Sequence, residues 1–382
     1  MEFFAETRHS YGRTALFLSG GAHFGKYHFG VLKALYEQDL FPRVIAGSSV
    51  GALVAACICG HKYSEVWKVF CEDYNAMTAH ALHWKFPNYW EAFKMLRQGE
   101  SILDNSALKE ACYRFCKDMT FLEIYEQNKW NLNITVTDGV RQGDSKLLNY
   151  LTAPNIVVWS AVVASCAIPG FYDSVELMIK TEKGDLKPYY MSKLKGNFKF
   201  IDGSVACDLP MNRMSELFNI NTFIVSQVNP HVAPFISSDG FSHDKSRLRR
   251  RLFVKARNLI GNEIQHWITQ LTYLGLFPEY VQGIADLVMQ TYRGHVTIAP
   301  RPTLYDYKRL IEDVEPSNFH PSLQHTYSQT IQRISHIRSL FGIEREFDRY
   351  YMRLKNKLHC QIHLRHDKDL IKFQINKALK EK

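Results

Sequence analysis

Within the first sixty residues, two β-like runs each pass into a helical run through a glycine-bearing turn, and that arrangement leaves very few folds open. Arg13-Thr-Ala-Leu-Phe-Leu18 reads as a short buried strand, after which Gly20, Gly21 and Gly25 break the pattern until residues 27–35 resume it at helical spacing. Residues 43–46 form a second strand, Gly47 to Gly51 a turn, and residues 52–58 an all-apolar helix. Two strand-to-helix units in succession imply a parallel sheet, because each helix carries the chain back across a sheet face. Helical patterns with polar faces then fill roughly 64–115, and strand-like runs return at 132–136, 198–201, 222–226 and 295–298. The expected fold class is α/β, with a mainly parallel central sheet flanked by helices on both faces. We expect one main domain over 1–315 and a basic helical appendage over 316–382, either packed on the core or reaching to a surface.

The composition is that of a globular chain: 46% of the 382 residues are hydrophobic and 22% charged, which disfavours disorder as the basis of function. The formal net charge is +9, and cations gather in 245–257, Lys-Ser-Arg-Leu-Arg-Arg-Arg-Leu-Phe-Val-Lys-Ala-Arg. Such a run either attracts an anionic surface or is a solvated helix face. With no Cys/His finger spacing and no RNA-binding aromatic signature beside it, a membrane surface is the expected partner and nucleic acid is not.

Eight cysteines without a short, even framework, and acids among the first residues where a signal peptide needs an apolar stretch, point to a reducing, intracellular compartment. Cys112 and Cys116 have no matching second pair, so no metal is expected and both read as packing residues. Asn133-Ile-Thr135 is a glycosylation sequon inside a strand-like run. Residues 44–60 carry no charge, yet their Gly-Ser-Ser-Val-Gly centre and short length favour a buried strand, turn and helix over a membrane span.

The second turn carries the chemistry. Gly47-Ser48-Ser49-Val50-Gly51 is a Gly-x-Ser-x-Gly sequence between strand and helix, the setting of a nucleophile elbow, although an inert tight turn has the same pattern. Gly47 and Gly51 are needed because larger side chains would clash across the turn. Ser49 is held at a helix N-terminus, where the dipole favours alkoxide character. In the first turn, Ser19-Gly-Gly-Ala-His-Phe-Gly25, the glycines let backbone N–H groups face an oxyanion, while the spacing matches neither common nucleotide-binding loop. Asp202-Gly203 ends the 198–201 strand, which brings its carboxylate to the sheet edge where ligands gather in open α/β folds; the same pair also suits a plain turn. His231, His266 and His295 follow Asp202 in the chain order of a Ser-Asp-His triad. His23 and His28 flank the glycine loop as packing or supporting residues. Residues 267–277 offer an apolar helical face for the core, a substrate pocket or a lipid surface.

Taken in order, the glycine loop, Gly47-Ser-Ser49-Val-Gly51 and Asp202-Gly203 resemble the three motifs of the patatin-like phospholipases. Asn149-Tyr-Leu-Thr-Ala-Pro-Asn155, Trp159-Ser-Ala-Val-Val-Ala-Ser-Cys-Ala-Ile-Pro-Gly170 and Phe223-Ile-Val-Ser-Gln-Val-Asn-Pro-His231 are similar to the storage-lipid triacylglycerol lipases of fungi and plants. The resemblance spans about 7–300. It implies the patatin-like three-layer fold and a Ser49–Asp202 dyad without histidine. It also implies an oxyanion hole of the Gly20, Gly21 and Val50 amides, no cofactor, and action on acyl esters at a lipid-droplet or endoplasmic-reticulum surface. Phospholipase or lysophospholipid acyltransferase activity through the same dyad, or a silent lipid-surface protein, are the alternatives. Ala22 and Phe24 stand where many members have a third glycine and a basic residue, as is usual in the storage-lipid branch. Because the catalytic motifs begin almost at residue 1, the N-terminal region usual in such lipases is expected to be missing.

Overall fold

The computed structural model describes residues 2–71, 89–98, 101–138, 145–168, 171–189, 200–202, 209–230, 293–303 and 316–380, a few positions between 232 and 307, and most side chains in these stretches up to 358. After a first helix, α1 (Glu2–Tyr11), comes the central strand β1 (Arg13–Leu18). It leads through a 3-10 helix at Ala22–Tyr27 into α2 (His28–Glu37), then β2 (Val44–Gly47) and α3 (Val50–Cys59). Next follow α4 (Val66–Cys71), α5 (Tyr89–Gln98), α6 (Ser106–Cys116), β3 (Asn131–Asp138), β4 (Ser145–Leu148) and α7 (Val158–Cys166). A small hairpin, β5 (Met178–Lys180) with β6 (Leu186–Pro188), precedes β7 (Phe200–Asp202), α8 (Met211–Phe218), β8 (Ile220–Ser226) and β9 (Val296–Ile298). Two C-terminal helices finish the chain, α9 (Pro316–Ile331) and α10 (Ile334–Lys380).

The main sheet runs β4-β3-β2-β1-β8-β9, with β7 also paired to β3. The β1–β2, β1–β8, β2–β3 and β8–β9 pairs are parallel, as the two opening units require, whereas β4 and β7 lie antiparallel to β3. β1 is apolar without alternation because both its faces are covered. Leu16 and Leu18 meet the helices carrying Leu32, Leu53 and Val162, while Ala15 and Phe17 meet Val44, Ala46, Met214 and Val225. The helix α9 lies on α2, and Leu323, Ile337 and Phe341 join the same core as β1. At the crossing, a Cβ on Gly30 would collide with the Leu323 carbonyl and the Thr326 hydroxyl, so only glycine allows so close an approach.

The charge-free stretch 44–60 is β2, the turn and α3, all buried up to Cys59. Among the described residues no helix is long and apolar enough to cross a membrane. Cys112 and Cys116 are buried on α6, and the Cys116 thiol donates to the Ala56 carbonyl. The sequon residue Asn133 lies wholly buried in β3, its amide donating to the Asn131 side chain. The basic run 245–257 lies outside the described residues. Of the apolar face in 267–277, Trp267 and Leu274 are exposed, at 62% and 68%.

Candidate active site

Ser49 has φ 53° and ψ −127°, a conformation that a residue bearing a Cβ adopts only when its surroundings hold it there. The glycines on either side make the turn possible. A Cβ on Gly47 would strike the Gly51 carbonyl, and one on Gly51 the carbonyl of Leu18 on the neighbouring strand. Ser49 thus stands as N-cap of α3, and its carbonyl receives the amides of Ala52 at 2.9 Å and Leu53 at 3.2 Å. The residue is 6% exposed.

The topology of β3 brings Asp202 to the same place. One edge of β3 pairs with β2 only as far as Gly47 opposite Ile134, where β2 turns away into the elbow. β4 occupies the other edge over 134–137, so β7 takes up the vacated positions, with Asp202 opposite Val136. Two residues along the ladder from Gly47, Asp202 therefore sits where β2 would have continued, beside the turn that carries Ser49. It is fully buried. The last turn of α7 bridges the two: the Ser49 amide donates to the Ser165 hydroxyl at 3.0 Å, and the Asp202 amide donates to the Ala167 carbonyl at 2.9 Å. Burial first, and the carboxylate of Asp202 second, push the Cys166 thiol well above its usual ionisation range, while a hydrogen bond with the Ser49 side chain works the other way. Cys166 is thus within reach of both groups.

Gly20 and Gly21 follow β1 after Ser19, and Ala22 opens the 3-10 helix. Val50 is the first residue of α3, and a Cβ on Gly25 would meet its side chain, so the glycine loop lies directly on the elbow. Neither the Gly21 nor the Val50 amide donates to a protein group among the described residues. Ala22, Ser49 and Val50 share the wall of an apolar cavity of about 210 Å³, closed by Leu53, Leu103, Leu108, Cys166, Ile168, Phe171 and Tyr172. Its far wall is tied across the gap, since the Leu103 amide donates to the Phe171 carbonyl at 2.8 Å.

The loop is braced from below by His28. Its Nε2 lies 3.0 Å from the Ser19 carbonyl, an acceptor only, so Nε2 carries the proton and Nδ1 accepts from the Ser226 hydroxyl at 2.7 Å. Complete burial lowers the His28 pKa to about 4, keeping the ring in this neutral tautomer. His23 is buried against the Lys26 ammonium at 3.2 Å, and Lys26 faces the Asp306 carboxylate at 3.5 Å. The Thr326 hydroxyl from α9 donates to the Tyr27 carbonyl at 2.8 Å.

Of the three candidate triad histidines, the two described ones have no contact with Ser49 among the described residues. His295 precedes β9, at the end of the parallel sheet opposite the elbow, where its Nδ1 accepts from the Phe223 amide. His266 is exposed, and His231 and Gly203 lie outside the described residues. What the sequence reading missed is the α7 turn with Ser165 and Cys166. Residues 156–167 form an unbroken apolar and small-residue run after Pro154, the one signal that would have marked a buried helix there.

A family model described as patatin-like phospholipase matches residues 16–213. A triacylglycerol lipase of Arabidopsis thaliana is 36% identical over 359 residues, which cover 91% of this chain and 43% of that protein. Triacylglycerol lipase 5 of Saccharomyces cerevisiae is 37% identical over 319 residues, covering 77% of this chain and 41% of its own. The chain therefore spans about two fifths of the length of these relatives. Among solved structures, VipD from Legionella pneumophila overlays with a TM-score of 0.41 at 13% identity, covering 85% of this chain and 67% of that one.

Proposed function

Since this chain belongs to the patatin-like phospholipase family, we propose that it is a serine lipid acyl hydrolase, and within that class a triacylglycerol lipase. One observation carries the reading: the Ser49 elbow opens onto an apolar cavity at the point where β7 delivers Asp202. An acyl chain entering that cavity sets its ester carbonyl over Ser49. Asp202 takes the hydroxyl proton as the oxygen attacks, and the amides of Gly20, Gly21 and Val50 hold the oxyanion. As the intermediate collapses, Asp202 returns the proton to the departing glyceryl alkoxide, leaving an acyl-serine. Water, deprotonated by the same carboxylate, then adds to the acyl-serine; as that intermediate collapses, Asp202 returns the proton to the Ser49 oxygen and the fatty acid is released. No step calls for a cofactor or a metal.

The apolar lining supports a second acceptor. Where water is scarce, the alcohol of a diacylglycerol or lysophospholipid can take the acyl group instead, and the same acyl-enzyme becomes an acyltransferase. Phospholipase activity uses the same steps on a different head group. The +9 net charge favours an anionic lipid surface, as on a lipid droplet or the endoplasmic reticulum, approached from the intracellular side; nucleic acid is not a partner in this reading. The basic C-terminal helix beyond the core contact is a surface-binding arm in the same reading.

Fluorophosphonate labelling of the wild type beside Ser49→Ala, with fatty-acid release from triolein and phosphatidylcholine vesicles followed in parallel, tests the proposal. Labelling confined to the wild type, with oleate released from triolein, is the expected result. Folded wild-type protein that neither labels nor releases fatty acid would leave a lipid-surface protein with a silent site.

A further inference from the structure

The last turn of α7 holds both halves of the candidate dyad through neighbouring residues. Ser165 accepts the Ser49 amide at 3.0 Å, and Ala167 accepts the Asp202 amide at 2.9 Å. Between them Cys166 lines the cavity onto which Ser49 opens. Pairing with β3 brings the two catalytic candidates to one place from segments far apart in sequence, and the α7 turn is a second support that bonds the backbone of both. Because Ser165 is itself wholly buried, it receives the Ser49 amide away from solvent.

Ser49 needs such a support. Its backbone sits in a strained region at φ 53°, which persists only when neighbouring groups over-determine it. As N-cap of α3 it has no intrahelical acceptor for its own amide, and a buried amide without one is unstable. The Ser165 hydroxyl is that acceptor. The next amide, that of Val50, donates to no protein group among the described residues, and Val50 lines the cavity.

From this geometry we propose that Ser165 is a positioning residue for the nucleophile, and that the turn 165–167 sets the distance over which a proton passes from Ser49 to Asp202. The inference rests on the dyad reading above. It predicts an effect on chemistry more than on substrate binding, because a displacement of about 1 Å at a reacting centre costs on the order of 100-fold in rate.

The same helix supplies a matched control. Ser160 is equally buried, and its hydroxyl accepts the Met178 amide at 3.0 Å, well away from Ser49. Ser165→Ala and Ser160→Ala therefore remove the same kind of bond from the same helix. The experiment measures fluorophosphonate labelling rate, kcat, KM and Tm for the wild type, both alanine variants and Ser165→Cys, which keeps a weaker acceptor of similar size. We expect similar Tm shifts for the two alanine variants. Only Ser165→Ala should lose at least tenfold in kcat and in labelling rate, with KM within twofold of wild type, and Ser165→Cys should fall between. A Ser165→Ala enzyme with wild-type labelling rate, or one impaired no more than Ser160→Ala, would overturn the proposal, as would a Ser165→Cys rate below that of Ser165→Ala. Wild-type protein that does not label at Ser49 sinks the dyad reading itself, so the two failures are distinguishable.

Discussion

Gly47 and Asp202 follow one another along a single edge of β3, opposite Ile134 and Val136. One strand leaves that edge to build the elbow and another arrives to fill it. The proposed nucleophile and base are thereby set side by side by strand pairing, with no loop closure needed. A three-residue strand is enough, because its only catalytic task is to present its last residue.

Ser49→Ala is therefore expected to reduce ester hydrolysis to background. Asp202→Asn, which keeps the shape and the strand pairing but cannot take a proton, should lower kcat by about 10³-fold with little change in Tm. Hydrolysis assays with circular dichroism on both variants check this, and near-normal turnover in either would remove the dyad.

Gly51→Ala drives a methyl group into the Leu18 carbonyl, which is main chain and has no rotamer by which to retreat. We expect a loss of about 3 kcal/mol or more, together with loss of labelling at Ser49. Urea titration beside Gly342→Ala, a position where an added Cβ meets nothing, provides the comparison.

Two buried groups give stability opposite pH dependences. Burial holds His28 at about 4 against its ordinary 6.5, so between those values the unfolded chain binds a proton that the fold refuses, and stability falls as the pH drops. Burial raises Glu344, which accepts the Thr14 amide at 2.8 Å, to about 7 from 4.5, so here the fold holds the extra proton and stability falls as the pH rises through that window. In the overlap the two slopes oppose each other. Relative to wild type, His28→Gln should become more stable towards acid between pH 6.5 and 4.5, and Glu344→Gln less so, with each group worth about 3 kcal/mol at most across its window. Urea midpoints at pH 4.5, 5.5, 6.5 and 7.5 read this, and slopes identical to wild type would remove the assignment.

Leu108→Phe adds bulk to the wall of the acyl cavity, away from Ser49. Activity on oleoyl esters relative to butyryl esters should fall by roughly tenfold. An unchanged ratio would mean that the chain lies elsewhere.

Much of this was legible because it is local. In residues 13–18 and 43–60, strand, turn and helix follow one another without interruption, and the glycines stand where the turn geometry needs them. Other parts depend on partners distant in sequence. β4 carries only Leu147 and Leu148 as core-facing residues, too few for periodicity to reveal, and its place is set by pairing with β3. All nine residues of α7 are buried, so it has no polar face to give a helical period. Ser165 is silent in the sequence because its partner is an amide 116 residues away. Glu344 belongs by composition to a charged surface helix, and only its docking against Thr14 takes it out of water.

The grip of Thr326 on Tyr27 spans 299 residues and fastens the glycine loop from the far side of the chain. Residues are joined in chain order, so Ser49 and the glycine loop are made well before Thr326, and the contact that fastens the loop forms only once α9 has followed.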